Sequence, residues 1–200
     1  MKIRDPEQIW DQRLNISTVG SDALGSDIYH YPYEPTPYCV LQRLVERKLL
    51  RREDCVVDYG CGKGRVGFFL RDTVGCRVIG VEYDRRIWEQ AEENRLRFRK
   101  QSGIQFVCCN AETYLPSDAN VFYFFNPFSV ELLKSVLGQI LRSYYEDPRS
   151  MRLLFYYPND LYVTWLMNKR ELSFCEEIDC SDLFPGENPR ERILVFSVDG

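Results

Sequence analysis

The stretch 56-VVDYGCGKGRVGFFL-70 places two apolar runs on either side of a glycine-rich loop. The valine-rich first run is typical of a buried strand, and the second run is typical of a helix. Glycines between a strand and a helix let the backbone approach a ligand closely, and the helix start offers free N–H groups. The stretch therefore predicts an α/β fold with a ligand site at the carboxyl end of this strand.

Strand and helix patterns alternate along the rest of the chain. The predicted strands cover 55–60, 76–83, 104–109, 120–126, 152–158, 171–178 and 191–198, and the predicted helices cover 38–52, 63–73, 85–100, 130–145 and 159–168. Such alternation implies right-handed crossovers and helices on both faces of a sheet. The last two strands have no predicted helix between them, which indicates an antiparallel pair. We expect an α/β fold: a three-layer, doubly wound, mostly parallel seven-stranded sheet with a C-terminal antiparallel strand pair.

The chain divides into an arm and one domain. Residues 1–37 are polar and interrupted by prolines and tyrosines, which predicts an ordered N-terminal arm. Residues 38–200 carry the alternating pattern and form the ligand-binding domain. A chain of 200 residues is long enough for one domain with a sizeable core.

The composition is that of an ordinary globular protein, with 44% hydrophobic and 28% charged residues. A net charge of −4 argues against broad electrostatic attraction to nucleic acid. The start of the chain lacks the apolar core of a signal peptide, and no run approaches the roughly 20 apolar residues that span a bilayer. We therefore expect a cytoplasmic protein with no membrane partner.

The cysteine pattern argues against a metal site. Eight cysteines are scattered without a C-x-x-C pair, and His30 is the only histidine. Structural zinc sites use paired Cys or His at short spacing, so we expect no bound metal. Several cysteines lie in apolar runs, where a reduced thiol packs as a small hydrophobic group.

Two classes of cofactor fit the glycine loop. Residues 62–67 match the dinucleotide pattern G-x-G-x-x-G, and Glu82 follows at a distance suited to binding a ribose. In that register Asp58 lies within the apolar strand, where an unpaired carboxylate is costly. In the alternative alignment the motif covers residues 58–64, and Asp58 lies at the carboxyl end of the strand. There its carboxylate can contact the cationic amine of S-adenosylmethionine. Little more than a hundred residues follow Glu82, too few for the separate substrate domain of a dehydrogenase.

Over roughly residues 30–198 the chain resembles the class I, seven-strand S-adenosylmethionine-dependent methyltransferases. The residues that match this family's cofactor motifs are Asp58, Gly60, Gly62, Gly64, Glu82 and Asn110. Glu82 matches the acid that binds both ribose hydroxyls, and Asn110 takes the position, commonly aspartate, that contacts the adenine amine. The resemblance implies S-adenosyl-L-methionine as the cofactor of residues 38–200.

The end of the fourth strand indicates an acceptor site. Asn126-Pro127-Phe128 resembles the N-P-P-Y/F motif of amino-methyltransferases, in which the Asn side chain and a Pro carbonyl accept hydrogen bonds from the target NH₂. The second proline of that motif is missing here. Asn126, Pro127 and Phe128 are therefore the candidate catalytic residues, and a simple turn after the strand is the alternative.

The arm carries a further resemblance. Residues 33-YEPTPY-38 resemble the Y-x-P-x-x-P segment of a seven-strand protein-lysine methyltransferase group, in which this segment folds over the cofactor. The resemblance implies that Tyr33 and Thr36 contact the cofactor and that Tyr31 belongs to the lid. Excluding water there would favour transfer from a sulfonium cation. Aromatic anchoring of the arm on the outside of the sheet is the alternative.

These features predict an enzyme that methylates nitrogen in a protein side chain or a small molecule, with nucleic acid a less favoured acceptor. In-line methyl transfer requires mainly the alignment of its two partners. No residue stands out as a general base. Tyr156, Tyr157 and Asn159 are candidates to line an acceptor pocket, and the alternative is that the aromatic run 155–157 belongs to the core. An NAD-dependent oxidoreductase and a non-catalytic S-adenosylmethionine-binding sensor remain as alternatives, and the oligomeric state stays open.

Overall fold

The computed structural model describes residues 5–24 and 31–199, so His30 lies outside the described ranges. In chain order the helices and strands are α1 Pro6–Leu14, α2 Tyr38–Glu46, β1 Cys55–Tyr59, α3 Arg65–Thr73, β2 Arg77–Glu82, α4 Arg85–Arg97, β3 Ile104–Cys108, β4 Val121–Phe125, α5 Val130–Glu146, β5 Arg152–Tyr156, α6 Asp160–Met167, β6 Leu172–Asp179 and β7 Arg192–Val198. Two single 3₁₀ turns, Ala111–Thr113 and Ser181–Leu183, follow β3 and β6.

The seven strands form one sheet in the order β3-β2-β1-β4-β5-β7-β6. Strands β1 to β5 pair in parallel, whereas β7 pairs antiparallel with both β5 and β6. This architecture confirms the predicted fold class, including the C-terminal antiparallel pair. The chain first builds outward from β1 to β3 and then returns to place β4 beside β1. The strand order therefore reverses between β1 and β4, where doubly wound sheets open a crevice for ligands.

Apolar side chains form a core on each face of the sheet. Alternate residues of a strand point to opposite faces, so Val56 packs in the core with α2 and α3 while Val57 packs with α5. All five residues of β1 are buried, because helices cover both of its faces. Asp58 is thus a carboxylate within a strand that is otherwise apolar or aromatic and closed to solvent.

The first helix, α1, was not predicted from the sequence. Asp5 caps it by accepting a hydrogen bond from the Glu7 N–H, and Pro6 occupies the first helical position, where its missing N–H costs nothing. The Trp10 ring stacks on Tyr38 with centroids 5.5 Å apart. The first part of the arm is therefore a helix anchored on the helical layer.

Helix α2 ends at Glu46, earlier than the predicted end at position 52. Lys48 has a φ of +56°, a left-handed conformation that ends a helix. Arg43 and Arg47, which belong to the basic segment 43–52, form ion pairs with Asp182 and Glu176 near the C-terminal strands. These arginines are therefore engaged in surface pairs.

No helix in the described part of the chain is long and apolar enough to cross a membrane. All eight cysteines are free thiols, four of them buried. Within residues 5–24 and 31–199, no three His, Cys, Asp or Glu side chains come together as metal ligands would.

Candidate functional site

The glycine loop is held against β2 and packed beneath two other segments. The N–H groups of Gly60 and Cys61 both donate to the Val81 carbonyl, at 2.8 and 3.1 Å. Gly60 has a φ of +72°, and a Cβ there would lie 2.6 Å from the Pro127 Cβ. At Gly62, with a φ of +56°, a Cβ would lie 2.2 Å from the Tyr33 ring. Both positions therefore require glycine because other segments approach the backbone too closely for a side chain.

Gly64 has a different position from the other two motif glycines. It precedes α3 and packs against the Phe106 ring, which would lie 2.4 Å from an added Cβ. It does not line the cavity described below. The structure thus places Gly60 beside the ligand space and Gly64 in the packing between α3 and β3.

Glu82 lies at the end of β2 and connects two segments of backbone. Its Oε2 atom accepts a hydrogen bond from the Gly62 N–H and its Oε1 atom accepts one from the Asp84 N–H, both at 2.9 Å. Burial raises the pKa of the Glu82 carboxyl, although these backbone hydrogen bonds oppose the rise. A carboxylate has about four acceptor positions, so Glu82 can accept a further hydrogen bond from a ligand.

Asp58 is the least satisfied polar group near the loop. Its side chain is only 3% exposed, and its Oδ2 atom has no hydrogen-bond partner in the described structure. Burial, with a smaller contribution from the nearby Glu82 carboxylate, raises the pKa of Asp58 to about 8. A buried oxygen without a partner is costly. A ligand cation placed beside Asp58 would remove this cost and restore the ionised carboxylate.

These residues lie on one cavity of about 490 Å³ at the carboxyl ends of β1 and β4. Five carboxyl side chains and two guanidinium groups line it: Asp22, Glu34, Asp58, Glu82, Asp84, Arg65 and Arg190. Arg65 is nearly fully buried and forms an ion pair with Glu7. The cavity is therefore mainly acidic, with a cationic group at Arg190.

Residues of the arm cover the cavity. Tyr33 and Asp22 exchange two backbone hydrogen bonds of 2.8 and 3.1 Å, which forms a short bridge beside the glycine loop. The Tyr33 hydroxyl donates to the Thr18 carbonyl at 2.6 Å. The Tyr31 N–H donates to the Pro127 carbonyl at 3.2 Å. The described part of the arm thus contacts both β1 and β4 loops, as a lid would.

Thr36 is more deeply placed than Tyr33. It is 3% exposed, its hydroxyl shares a hydrogen bond of 3.1 Å with the Tyr123 hydroxyl, and its carbonyl accepts from Arg65. Thr36 still lines the cavity. Its role as a cofactor contact stays a prediction, because its side chain already has a protein partner.

The structure uses the Asn110 side chain locally. Its Oδ1 atom accepts a hydrogen bond from the Glu112 N–H and caps the 3₁₀ turn after β3. Cys109 and Ala111, on either side, line the cavity, whereas Asn110 does not. An uncharged wall next to Glu82 suits an adenine ring, and the contact predicted for Asn110 stays a prediction.

Asn126, Pro127 and Phe128 all line the cavity at the end of β4. Asn126 has a φ of +40°, and its Oδ1 atom accepts a hydrogen bond from Asn159 Nδ2 at 2.8 Å. The Phe128 ring packs edge-on against Phe124 and is buried. The two acceptor oxygens of the motif, Asn126 Oδ1 and the Pro127 carbonyl, thus each hold one internal hydrogen bond and keep a second lone pair.

The side of the cavity formed by β5 and β7 contains a residue that the sequence did not reveal. The Arg190 guanidinium stacks over the Tyr157 ring, 4.2 Å from its centroid. Tyr157 lines the cavity as predicted, whereas Tyr156 is buried in the core with its hydroxyl bonded to Glu191. Asn159 acts through Asn126 and caps α6. Arg190 is the last residue of the turn-rich stretch 184-FPGENPR-190, which gave no indication of where its side chain would lie.

The part of the cavity at the ends of β1, β2 and β3 suits S-adenosylmethionine. Asp58 offers an unpaired oxygen for an ammonium group, and the Glu82 carboxylate can accept a further hydrogen bond from a ribose hydroxyl. Cys109 and Ala111 give the uncharged surface that an adenine ring requires. The residues present therefore fit the cofactor implied by the sequence.

A family model described as "Methyltransferase domain" matches residues 56–146, from β1 to the end of α5. Residues of the chain are 31% identical over 118 positions to a histone-lysine N-methyltransferase, H3 lysine-79 specific, from Dictyostelium discoideum. They are 39% identical over 66 positions to a protein-lysine N-methyltransferase from Saccharolobus islandicus. These matches cover 52% and 32% of the chain, but only 6% and 41% of the two relatives.

Solved structures share the fold at low sequence identity. An RNA methyltransferase from Salinibacter ruber in complex with S-adenosyl-L-homocysteine superposes with a TM-score of 0.61 at 19% identity, covering 82% of this chain and 94% of that one. A human methyltransferase 10 domain containing protein superposes with a TM-score of 0.60 at 11% identity, covering 96% and 93%. At these identities the similarity shows the shared fold.

Proposed function

We propose that the chain is a class I S-adenosylmethionine-dependent methyltransferase that methylates a nitrogen atom of a protein side chain, with lysine as the best-supported acceptor. The match of residues 56–146 to a methyltransferase family model argues against the nicotinamide-dependent alternative. The observation that carries the proposal is the unpaired, buried Asp58 oxygen facing a cavity that also holds Glu82 and the Asn126-Pro127 acceptors.

The cofactor half of the cavity is formed by β1, β2 and β3. We assign the ribose hydroxyls to Glu82 and the methionine amino group to Asp58. Because the pKa of Asp58 is about 8 before the cation arrives, binding of an ammonium group releases a proton from Asp58 near neutral pH. Bound here, S-adenosylmethionine supplies an electrophilic methyl group on a sulfonium ion.

The chain's own contribution is to hold the acceptor and to exclude water. The Pro127 carbonyl and Asn126 Oδ1 offer two hydrogen-bond acceptors for an N–H group, and Phe128 packs beside them. An acceptor nitrogen fixed by these oxygens loses its rotational freedom, which is the main requirement of in-line transfer. Tyr31 and Tyr33 cover the same space and limit water.

Charge and relatives both support an amine on a protein. Acidic side chains outnumber arginines along the cavity, which attracts cationic amines and repels the phosphates of nucleic acids. The two relatives are described as lysine methyltransferases of a histone and of proteins. Arg43 and Arg47, two arginines of the basic segment 43–52, are engaged with surface acids.

Methyl transfer into a fractionated lysate of the source organism tests this proposal. The purified protein is incubated with radiolabelled S-adenosylmethionine and lysate, and label is counted in the protein, nucleic-acid and small-molecule fractions. We expect label in the protein fraction, on lysine after hydrolysis, and a loss of that label with Asn126→Ala enzyme that still binds S-adenosylhomocysteine.

Other outcomes decide against the proposal in specific ways. Label confined to nucleic acid or to small molecules overturns the protein acceptor. An absence of label in every fraction, from protein shown by calorimetry to bind S-adenosylhomocysteine, would favour the sensor alternative.

A further inference from the structure

We propose that Arg190 binds a carboxylate group of the methyl acceptor. This inference rests on the proposed function and specifies its substrate: an amine that carries a carboxylate near the nitrogen to be methylated. In a protein acceptor this group is an acidic side chain, or the chain's own C-terminus, beside the target residue.

The charge around Arg190 is not balanced by the protein. No carboxylate of the described residues forms an ion pair with Arg190, and its Nε atom is buried without a hydrogen-bond partner. The other arginine of the cavity, Arg65, also has one buried nitrogen without a hydrogen-bond partner, but its charge is paired with Glu7 and it bonds to Thr18 and Thr36. A buried N–H donor without a partner is costly, so Arg190 is a site that gains free energy when an anion arrives.

The guanidinium is held in place before any ligand binds. It stacks on the Tyr157 ring and donates through Nη2 to the Tyr157 carbonyl at 3.3 Å. Asn188 fixes the same arrangement, because its Nδ2 atom donates to the Tyr157 hydroxyl and its Oδ1 atom accepts from the Arg190 N–H. Little side-chain entropy remains to be lost, and the planar group is pre-organised for a planar anion.

The position of Arg190 assigns the anion to the acceptor. Tyr157 and Arg190 lie at the ends of β5 and β7, whereas Asp58 and Glu82 lie at the ends of β1 and β2. The Phe125 ring, 6.3 Å from the Tyr157 ring, joins this wall to Asn126. Arg190 therefore shares a wall with the candidate acceptor residues and lies on the opposite side from the cofactor's proposed sites.

A carboxylate suits this site better than a phosphate. One guanidinium offers two parallel N–H donors and one positive charge, which match a planar group with one negative charge. A phosphate carries more charge and would meet a cavity whose described lining has more acidic side chains than arginines. We therefore expect acetate to bind and inorganic phosphate to bind no better than chloride.

Acetate titration of the S-adenosylhomocysteine-loaded protein tests the inference, with chloride at equal ionic strength as the control salt. The Nε–Hε signal of Arg190 is followed by NMR of ¹⁵N-arginine-labelled protein and assigned by its loss in Arg190→Lys. For the wild type we expect a saturable shift of the Arg190 signal with acetate. Arg190→Lys should bind acetate at least about tenfold more weakly, because charged hydrogen bonds contribute about 1.5–3 kcal/mol. Acetate binding by this variant is measured from the backbone amide signals of the variant protein. Arg192→Gln, which removes a surface arginine paired with Glu177, should retain the acetate response.

The affinity for S-adenosylhomocysteine separates the two sources of a carboxylate. We expect Arg190→Gln to bind S-adenosylhomocysteine within about twofold of the wild type. A loss of tenfold or more would mean that Arg190 binds the cofactor's own carboxylate and would overturn the inference. An Arg190 signal that responds equally to acetate and chloride would overturn it as well, whereas failure of the wild type to bind S-adenosylhomocysteine at all refutes the proposed function instead.

Discussion

Replacing Asp58 with asparagine should increase the stability of the cofactor-free protein relative to the wild type as the pH rises, because the variant cannot ionise at this position. The folded protein keeps Asp58 protonated until about pH 8, because burial and the Glu82 carboxylate raise its pKa. The unfolded chain releases the same proton near the ordinary aspartate value of 3.8. The folded state therefore holds one proton more between these values, and its stability falls as the pH rises from about 4 to 8.

The magnitude follows from the separation of the two pKa values. Each pH unit within this window lowers the free energy of unfolding by about 1.4 kcal/mol per retained proton. Between pH 5 and pH 7 the wild type should thus lose about 2.7 kcal/mol relative to Asp58→Asn, which cannot ionise. The buried asparagine amide has its own unpaired donors, a cost of about 1–3 kcal/mol that is constant with pH and cancels from this difference.

Urea unfolding at pH 5, 6 and 7 without cofactor measures this difference directly. The free energy of unfolding of each protein is obtained by linear extrapolation, and only the change in their difference with pH is compared. Asp118→Asn, which removes a half-exposed surface carboxylate paired with Arg77, shows how the assay responds to the loss of an outer charge. A difference between wild type and Asp58→Asn that stays constant from pH 5 to 7 would refute the raised pKa and with it the unpaired carboxyl.

Three further substitutions test the remaining assignments. Glu82→Gln should raise the dissociation constant for S-adenosylhomocysteine about 10- to 100-fold in calorimetry, because charged hydrogen bonds are lost, and wild-type affinity would contradict its ribose role. Gly60→Ala should lower the free energy of unfolding by about 2 kcal/mol or more, since the φ of Gly60 is +72° and Pro127 blocks the new methyl group. The control Gly138→Ala, in open space on helix α5, should raise the free energy of unfolding by up to about 1 kcal/mol. Equal effects of the two substitutions would contradict the close approach of Pro127 to Gly60. Asn126→Ala should reduce kcat at least tenfold with cofactor affinity retained, as measured with the labelled acceptor fraction, and unchanged turnover would count against a catalytic role.

The fold could be predicted from the sequence because its signals are local. Val56, Val57 and the aromatic run before Asn126 are apolar on both faces, as buried parallel strands must be, and the glycines of the loop mark the strand-to-helix turn. The sequence pattern did not predict helix α1, because the helix has few apolar residues and is stabilised by the packing of Trp10 on Tyr38. Packing partners distant in sequence leave little trace in a local pattern.

The same distinction separates the predicted from the unpredicted parts of the site. Asp58 and Glu82 lie on adjacent parallel strands that also follow one another along the chain. A sequence motif can therefore include both residues. Arg190 reaches the cavity only because β7 returns beside β5, and its hydrogen bond to Tyr157 joins residues 33 positions apart. The Asn110 side chain caps the turn after β3, a local role that the motif does not describe, and its contact with adenine stays a prediction.

The hydrogen bond between the Tyr31 N–H and the Pro127 carbonyl has a kinetic consequence. Together with the Asp22–Tyr33 bridge it fastens the arm across both sides of the cavity. A product that leaves past the arm must break these bonds, so we predict that its release is slow relative to the methyl transfer itself. In a pre-steady-state experiment the enzyme should then show a rapid first turnover followed by a slower steady rate, set by how often the arm lifts.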